Sequence, residues 1–129
     1  MGASFEDLDV WKKSCRLSVK LYNLLRDCRD YGLKDQMLRS SVSIPSNISE
    51  GSERNSNLDF QRFLNIAKGS AAELRTQVYI AREVKIISKD EATKLIQELK
   101  SISKMLQALH NSLKKTGNRK LETGNRCYS

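Results

Sequence analysis

Residues 8–28 read LDVWKKSCRLSVKLYNLLRDC, and this stretch decides the fold. Leu8, Trp11, Cys15, Tyr22 and Leu25 fall on one heptad stripe, with Val10, Leu17, Leu21, Leu24 and Cys28 on a second stripe beside it. Together they make an apolar face wider than a two-stranded coiled coil needs and suited to a helix bundle. The spacing predicts a helix from about Phe5 to Cys28, ended by a turn at Asp30-Tyr31-Gly32.

The same periodicity recurs three times. Met37, Ser41, Ile44 and Ile48, with Leu38, Val42 and Pro45 alongside, predict a second helix from Lys34 to about Glu50. Pro45 interrupts it and should kink it, because proline removes one backbone hydrogen bond and crowds the preceding turn. Gly51 closes that helix, and Ser52 to Asn57 read as a polar loop. Ser56-Asn57-Leu58-Asp59 resembles a capping box and opens a third helix that ends near Lys85. Its buried face is Phe60, Phe63, Leu64, Ala67, Ala71, Leu74, Val78 and Ala81, and the small residues Gly69, Ser70 and Ala72 admit a close neighbour. A second capping box, Ser88-Lys89-Asp90-Glu91, starts a fourth helix through Ala92, Leu95, Leu99, Ile102, Leu106, Leu109 and Leu113. Short connections force consecutive helices antiparallel. The expected fold is an all-α, up-down-up-down four-helix bundle over residues 1–115. Residues 116–129 repeat Thr-Gly-Asn-Arg at 116 and 123, and their composition predicts a disordered basic tail.

Composition narrows the function. The 129 residues suit one domain, and their single Pro and six Gly favour a few long elements. No apolar run reaches transmembrane length, and the opening Met1-Gly2-Ala3-Ser4-Phe5-Glu6 lacks a basic, then apolar, signal segment, so a cytoplasmic protein is expected. His110 is the one histidine, which excludes clustered histidine ligands and a histidine triad within one chain. Cys15, Cys28 and Cys127 lack metal-site spacing, and no cofactor or metal is expected.

The net charge of +8 points toward acidic partners, with half of it residing after Leu113, where five Lys or Arg face one Glu. Two rows are candidates for nucleic-acid binding. Lys12, Lys13, Arg16 and Lys20 lie along the first helix with no acid among them. Lys68, Arg75 and Arg82 recur every seven residues on the third. Each row can follow a phosphate backbone and release counterions, and each also reads as an ordinary solvated helix face. Stacking aromatics are scarce, so recognition by shape and charge is expected rather than by single bases. Ser43, Asn47 and Glu50 share a face of the second helix, as Ser70 and Glu73 do of the third. With Gln36 they are candidates for a polar network or a subunit interface. Glu50 and Glu73 as a catalytic pair is disfavoured, because di-metal bundles add Glu-x-x-His motifs that this chain lacks. Trp11, Tyr22, Phe60 and Phe63 are expected in the core or at a subunit interface.

The strings Ser43-Ile44-Pro45-Ser46-Asn47-Ile48-Ser49-Glu50-Gly51 and Ile66-Ala67-Lys68-Gly69-Ser70, followed by Glu73-Leu74, resemble the four helix bundle protein family, also called ribosomal RNA intervening-sequence proteins. Gln36-Met37-Leu38-Arg39, Asp59 to Asn65 and the opening Phe5 to Trp11 resemble it too, so the likeness spans about Phe5 to Leu113. The resemblance implies a bacterial origin, a closed bundle and a homopentameric ring, with no established catalytic activity. Distant relatives are accessory proteins of diversity-generating retroelements, which implies a reverse transcriptase as a protein partner beside nucleic acid. The expected function is a non-enzymatic homo-oligomeric scaffold that binds structured RNA or DNA. A protein–protein adaptor without a nucleic-acid role is the alternative.

Overall fold

The computed structural model describes residues 4–123, with side chains as far as 113. A 3-10 turn at Phe5–Asp7 leads into α1 (Asp9–Leu24), followed by α2 (Tyr31–Ser52), α3 (Asn57–Glu83) and α4 (Lys89–Thr123). The helices form the expected four-helix bundle. α3 packs along α2 and α4, and α1 packs on α2 and more sparsely on α4. Leu17, Leu21, Met37, Ile44, Ile48, Leu64, Leu74, Leu99, Ile102 and Leu106 are within 2% of complete burial. Each such side chain contributes about 1.5–3 kcal/mol by leaving water.

Local chemistry sets the helix ends. Ser88 and Glu91 form the reciprocal capping box, with Glu91 N donating to Ser88 Oγ at 3.1 Å and Ser88 N to Glu91 Oε1 at 2.9 Å. At Ser56 half of such a box forms, with Asp59 N donating to Ser56 Oγ at 3.1 Å. The turn expected at Asp30-Tyr31-Gly32 is instead the start of α2. The Asp30 side chain accepts from Leu33 N at 3.2 Å and satisfies a donor that the first turn leaves free. α1 correspondingly stops at Leu24, short of Cys28.

Two further boundaries move. Gly51 lies inside α2 and does not close it. A Cβ on Gly51 would stand 2.6 Å from Phe63 Cβ and 3.0 Å from Phe60 Cδ1, so the glycine is there for the contact with α3. α4 continues past Leu113, where the apolar pattern stops, to Thr123. Once a helix is nucleated, each added residue gains a hydrogen bond for one residue fixed, and Lys, Leu and Glu propagate it well. The first Thr-Gly-Asn-Arg copy therefore sits on helical backbone. Residues 124–129, with the rest of the second copy, and Cys127 lie outside the described residues. α2 runs through Pro45, which is buried between Ile44 and Ile48 on the core side.

Candidate nucleic-acid interface

The basic row of α1 divides in the tertiary structure. Lys13 and Lys20 turn toward α4, where Lys94 joins them in lining a groove of about 360 Å³ with Gln97, Glu98 and Ser101. Lys12 and Arg16 are exposed. The row is free of acid along its own helix but not in space, because Lys20 Nζ pairs with Glu98 Oε1 at 3.1 Å. Both partners are about a third or more exposed, so the pair contributes a fraction of a kcal/mol and leaves Lys20 free to exchange Glu98 for another anion. Lys94 was not a candidate from the sequence. It belongs to a different helix, and a search along single helix faces cannot pair it with Lys13 and Lys20.

The α3 row is more engaged. Lys68 is half-buried and its ammonium donates to Gln107 Oε1 on α4. Arg82 stacks over the Tyr79 ring, 5.1 Å from its centroid, and donates to Glu83 Oε2 at 3.2 Å. Arg75 lies between them, half-buried. Of the three, Lys68 is the one hydrogen-bonded to α4, whereas Lys13, Lys20 and Lys94 border the α1–α4 side.

The polar set separates into two parts. Ser43 Oγ and Ser70 Oγ meet at 2.8 Å across α2 and α3, and Asn47 Nδ2 donates to Ser43 Oγ at 3.0 Å and to Ser43 O at 2.8 Å. This short chain ties the two helices where small residues bring them close. Glu50 does not join it; its carboxylate takes Arg54 at 3.1 Å on the surface. Glu73 is exposed and, with Gln36 and Ser43, lines a groove between α2 and α3 whose floor includes Gln77. Glu50 and Glu73 are thus apart in role as well as in contacts. No group of three or more potential metal ligands occurs among the described residues. No described helix is long and apolar enough to cross a membrane.

The aromatic expectations resolve unevenly. Trp11 packs against the core and meets Phe5 edge-on at 5.3 Å, and Phe60 also packs against the core. Arg54 lies over the Phe63 ring. Tyr22 is 51% exposed, as is its neighbour Val19 at 61%, which places part of the first apolar stripe on the outside of the bundle. Cys15, beside them, has its thiol pKa pushed up by burial, with the Arg16 charge pulling the other way.

No curated protein matches the chain. A crystal structure from Bacteroides thetaiotaomicron VPI-5482, described as a protein with unknown function from the S23 ribosomal protein family, superposes with a TM-score of 0.74 at 27% identity. The match covers 78% of this chain and 97% of that one. The family described as 23S rRNA-intervening sequence protein matches residues 6–108, from the turn before α1 to near the end of the apolar pattern in α4. The chain belongs to that 23S rRNA-intervening sequence protein family.

Proposed function

We propose that this protein is a non-enzymatic, homo-oligomeric scaffold, pentameric as the family resemblance implies, that binds structured RNA or DNA through its basic grooves. The observation that carries this reading is the convergence of Lys13 and Lys20 from α1 with Lys94 from α4 on one groove. Three ammonium groups from two helices present a charged track of the kind a phosphate backbone occupies, and repetition around a ring multiplies it. Lys68, Arg75 and Arg82 offer a second track along α3. The membership of a family named for ribosomal RNA supports RNA as the ligand class. A cytoplasmic location, and a protein partner such as a reverse transcriptase, follow from the same reading.

The salt dependence of binding tests it. The logarithm of affinity should fall linearly with the logarithm of salt, by about 0.9 for each duplex phosphate neutralised. Changing Lys13, Lys20 and Lys94 to Gln should flatten the slope by roughly two to three. Deleting residues after Lys115 should leave most of the slope in place. A slope that survives the triple substitution and vanishes with the deletion would assign retention to the basic C-terminal segment. No retention by the full chain in low salt would leave the adaptor reading in its place.

A further inference from the structure

The groove between α2 and α3 holds a polar group that the protomer leaves without a partner. Gln77 is 6% exposed, and its side-chain Oε1 is buried with no hydrogen-bond donor. A buried acceptor in this state costs about 1–3 kcal/mol, so it is expected to have a donor in the working protein. Gln77 lines a groove of about 490 Å³ together with Asp35, Arg39 and Glu73. Neither Asp35 nor Glu73 is in an ion pair among the described residues, where the pairs are Lys20–Glu98, Arg54–Glu50, Arg62–Asp59 and Arg82–Glu83. The groove's one cation, Arg39, is set against two carboxylates and makes no hydrogen bond to Gln77, so the groove keeps a net negative charge and a free acceptor, which suit a further cationic donor with several N–H groups such as a second guanidinium.

The surroundings of that groove are built for a helix. Ile66, Glu73 and Ile80 stand seven residues apart on one face of α3, and both isoleucines are 47% exposed. Gly69 shares this face, and a Cβ there would meet nothing within 4 Å. A glycine in a helix interior costs about 0.5–1 kcal/mol relative to alanine, and no contact within the protomer requires it. The absent side chain leaves room for another backbone.

The chain carries the complement on its α1. Arg16 is exposed and has no carboxylate partner among the described residues, and it borders a shallow depression with Cys15 and Val19. Val19 and Tyr22 on the same helix are more than half exposed. Of the other basic groups on α1, Lys13 and Lys20 lie toward α4, and although Lys20 also reaches the depression beside Val19, it is paired with Glu98. We propose that the α2–α3 face, centred on Gln77 and Glu73, docks a second copy of this chain through Arg16, Val19 and Tyr22 of that copy's α1. The two patches differ, so the contact is head-to-tail and closes into a ring when the rotation between copies permits. The proposal rests on the oligomer reading above, and it leaves Lys13, Lys20 and Lys94 for phosphate.

Sedimentation of the full chain over a concentration series tests it. Gln77→Met should weaken association about tenfold or more, the effect of losing one hydrogen bond to a charged group, without lowering the melting temperature of the dilute protomer. Gly69→Leu should also block association, again with no loss of protomer stability, because the space there is open. Glu73→Arg should dissociate the assembly, and adding Arg16→Glu should restore it. If the wild type associates and these variants associate equally well, the oligomer stands and this face is wrong. Failure of the Arg16→Glu change to improve on Glu73→Arg alone overturns the pairing. A wild type that stays monomeric sinks both the contact and the oligomer, whereas loss of salt-dependent retention alone touches only the nucleic-acid half.

Discussion

At Gly51 the fold depends on the absence of a side chain. Phe63 Cβ at 2.6 Å belongs to a rigid part of the residue, so neither partner can rotate away from an added methyl, and α2 and α3 would have to separate. Gly51→Ala should destabilise the protein by about 1–3 kcal/mol, read as a drop in the denaturant midpoint, although alanine is the better helix former. An unchanged midpoint would mean that the helices are not in contact there. Asn47 is a second such position. Asn47→Leu removes both donations to Ser43 and places an apolar group beside the Ser43–Ser70 hydroxyl pair, which should cost about 1–2 kcal/mol. Glu50 should be unaffected by that change, because its partner is Arg54. A double-mutant cycle between positions 47 and 50 should therefore show no coupling. Neither effect could be read from spacing, which puts Ser43, Asn47 and Glu50 on one face without saying which of them touches α3.

Among the elements, α3 ends with the only non-glycine residue of positive φ among those described, Lys85 at φ 65. Ile86 N reaches back to Ala81 O at 2.8 Å and Lys85 N to Arg82 O at 3.1 Å, which satisfies carbonyls the last turn would leave open. An L side chain in this conformation costs about 1 kcal/mol, and glycine does not. Lys85→Gly should thus raise the melting temperature by a few degrees, whereas Lys85→Val should lower it. A fall on substitution by glycine would show that the lysine side chain contributes more than its backbone costs. The starts of α3 and α4 were legible because a serine cap is chemistry between residues three apart, whereas the Asp30 cap of α2 read as a turn and α1 starts at Asp9 without a side-chain cap. The ends of α2 and α3 fall within two residues of where the pattern put them, but α1 stops at Leu24 and α4 runs to Thr123 for reasons of packing and propagation that single residues do not announce.

For the whole molecule, the exposed part of the α1 stripe and the unpartnered acceptor in α3 both concern what lies outside the protomer. Light scattering should report a mass of five times the 14.7 kDa chain. A monodisperse species at the mass of one chain would end the ring reading. What the sequence by itself determined is the set of properties that repeat along one helix: four amphipathic segments, their capping residues, the basic rows and the family they resemble. These follow from the helical period, which converts spacing into position on a face. What only the tertiary structure decided is what lies across from each face. It brought Lys94 to Lys13 and Lys20, set Glu98 against Lys20, joined Ser43 to Ser70, separated Glu50 from Glu73 and left Gln77 buried without a donor. Those pairings depend on the rotation of each helix about its own axis when the apolar stripes interlock. No residue encodes that rotation, because it is fixed by all the core side chains at once.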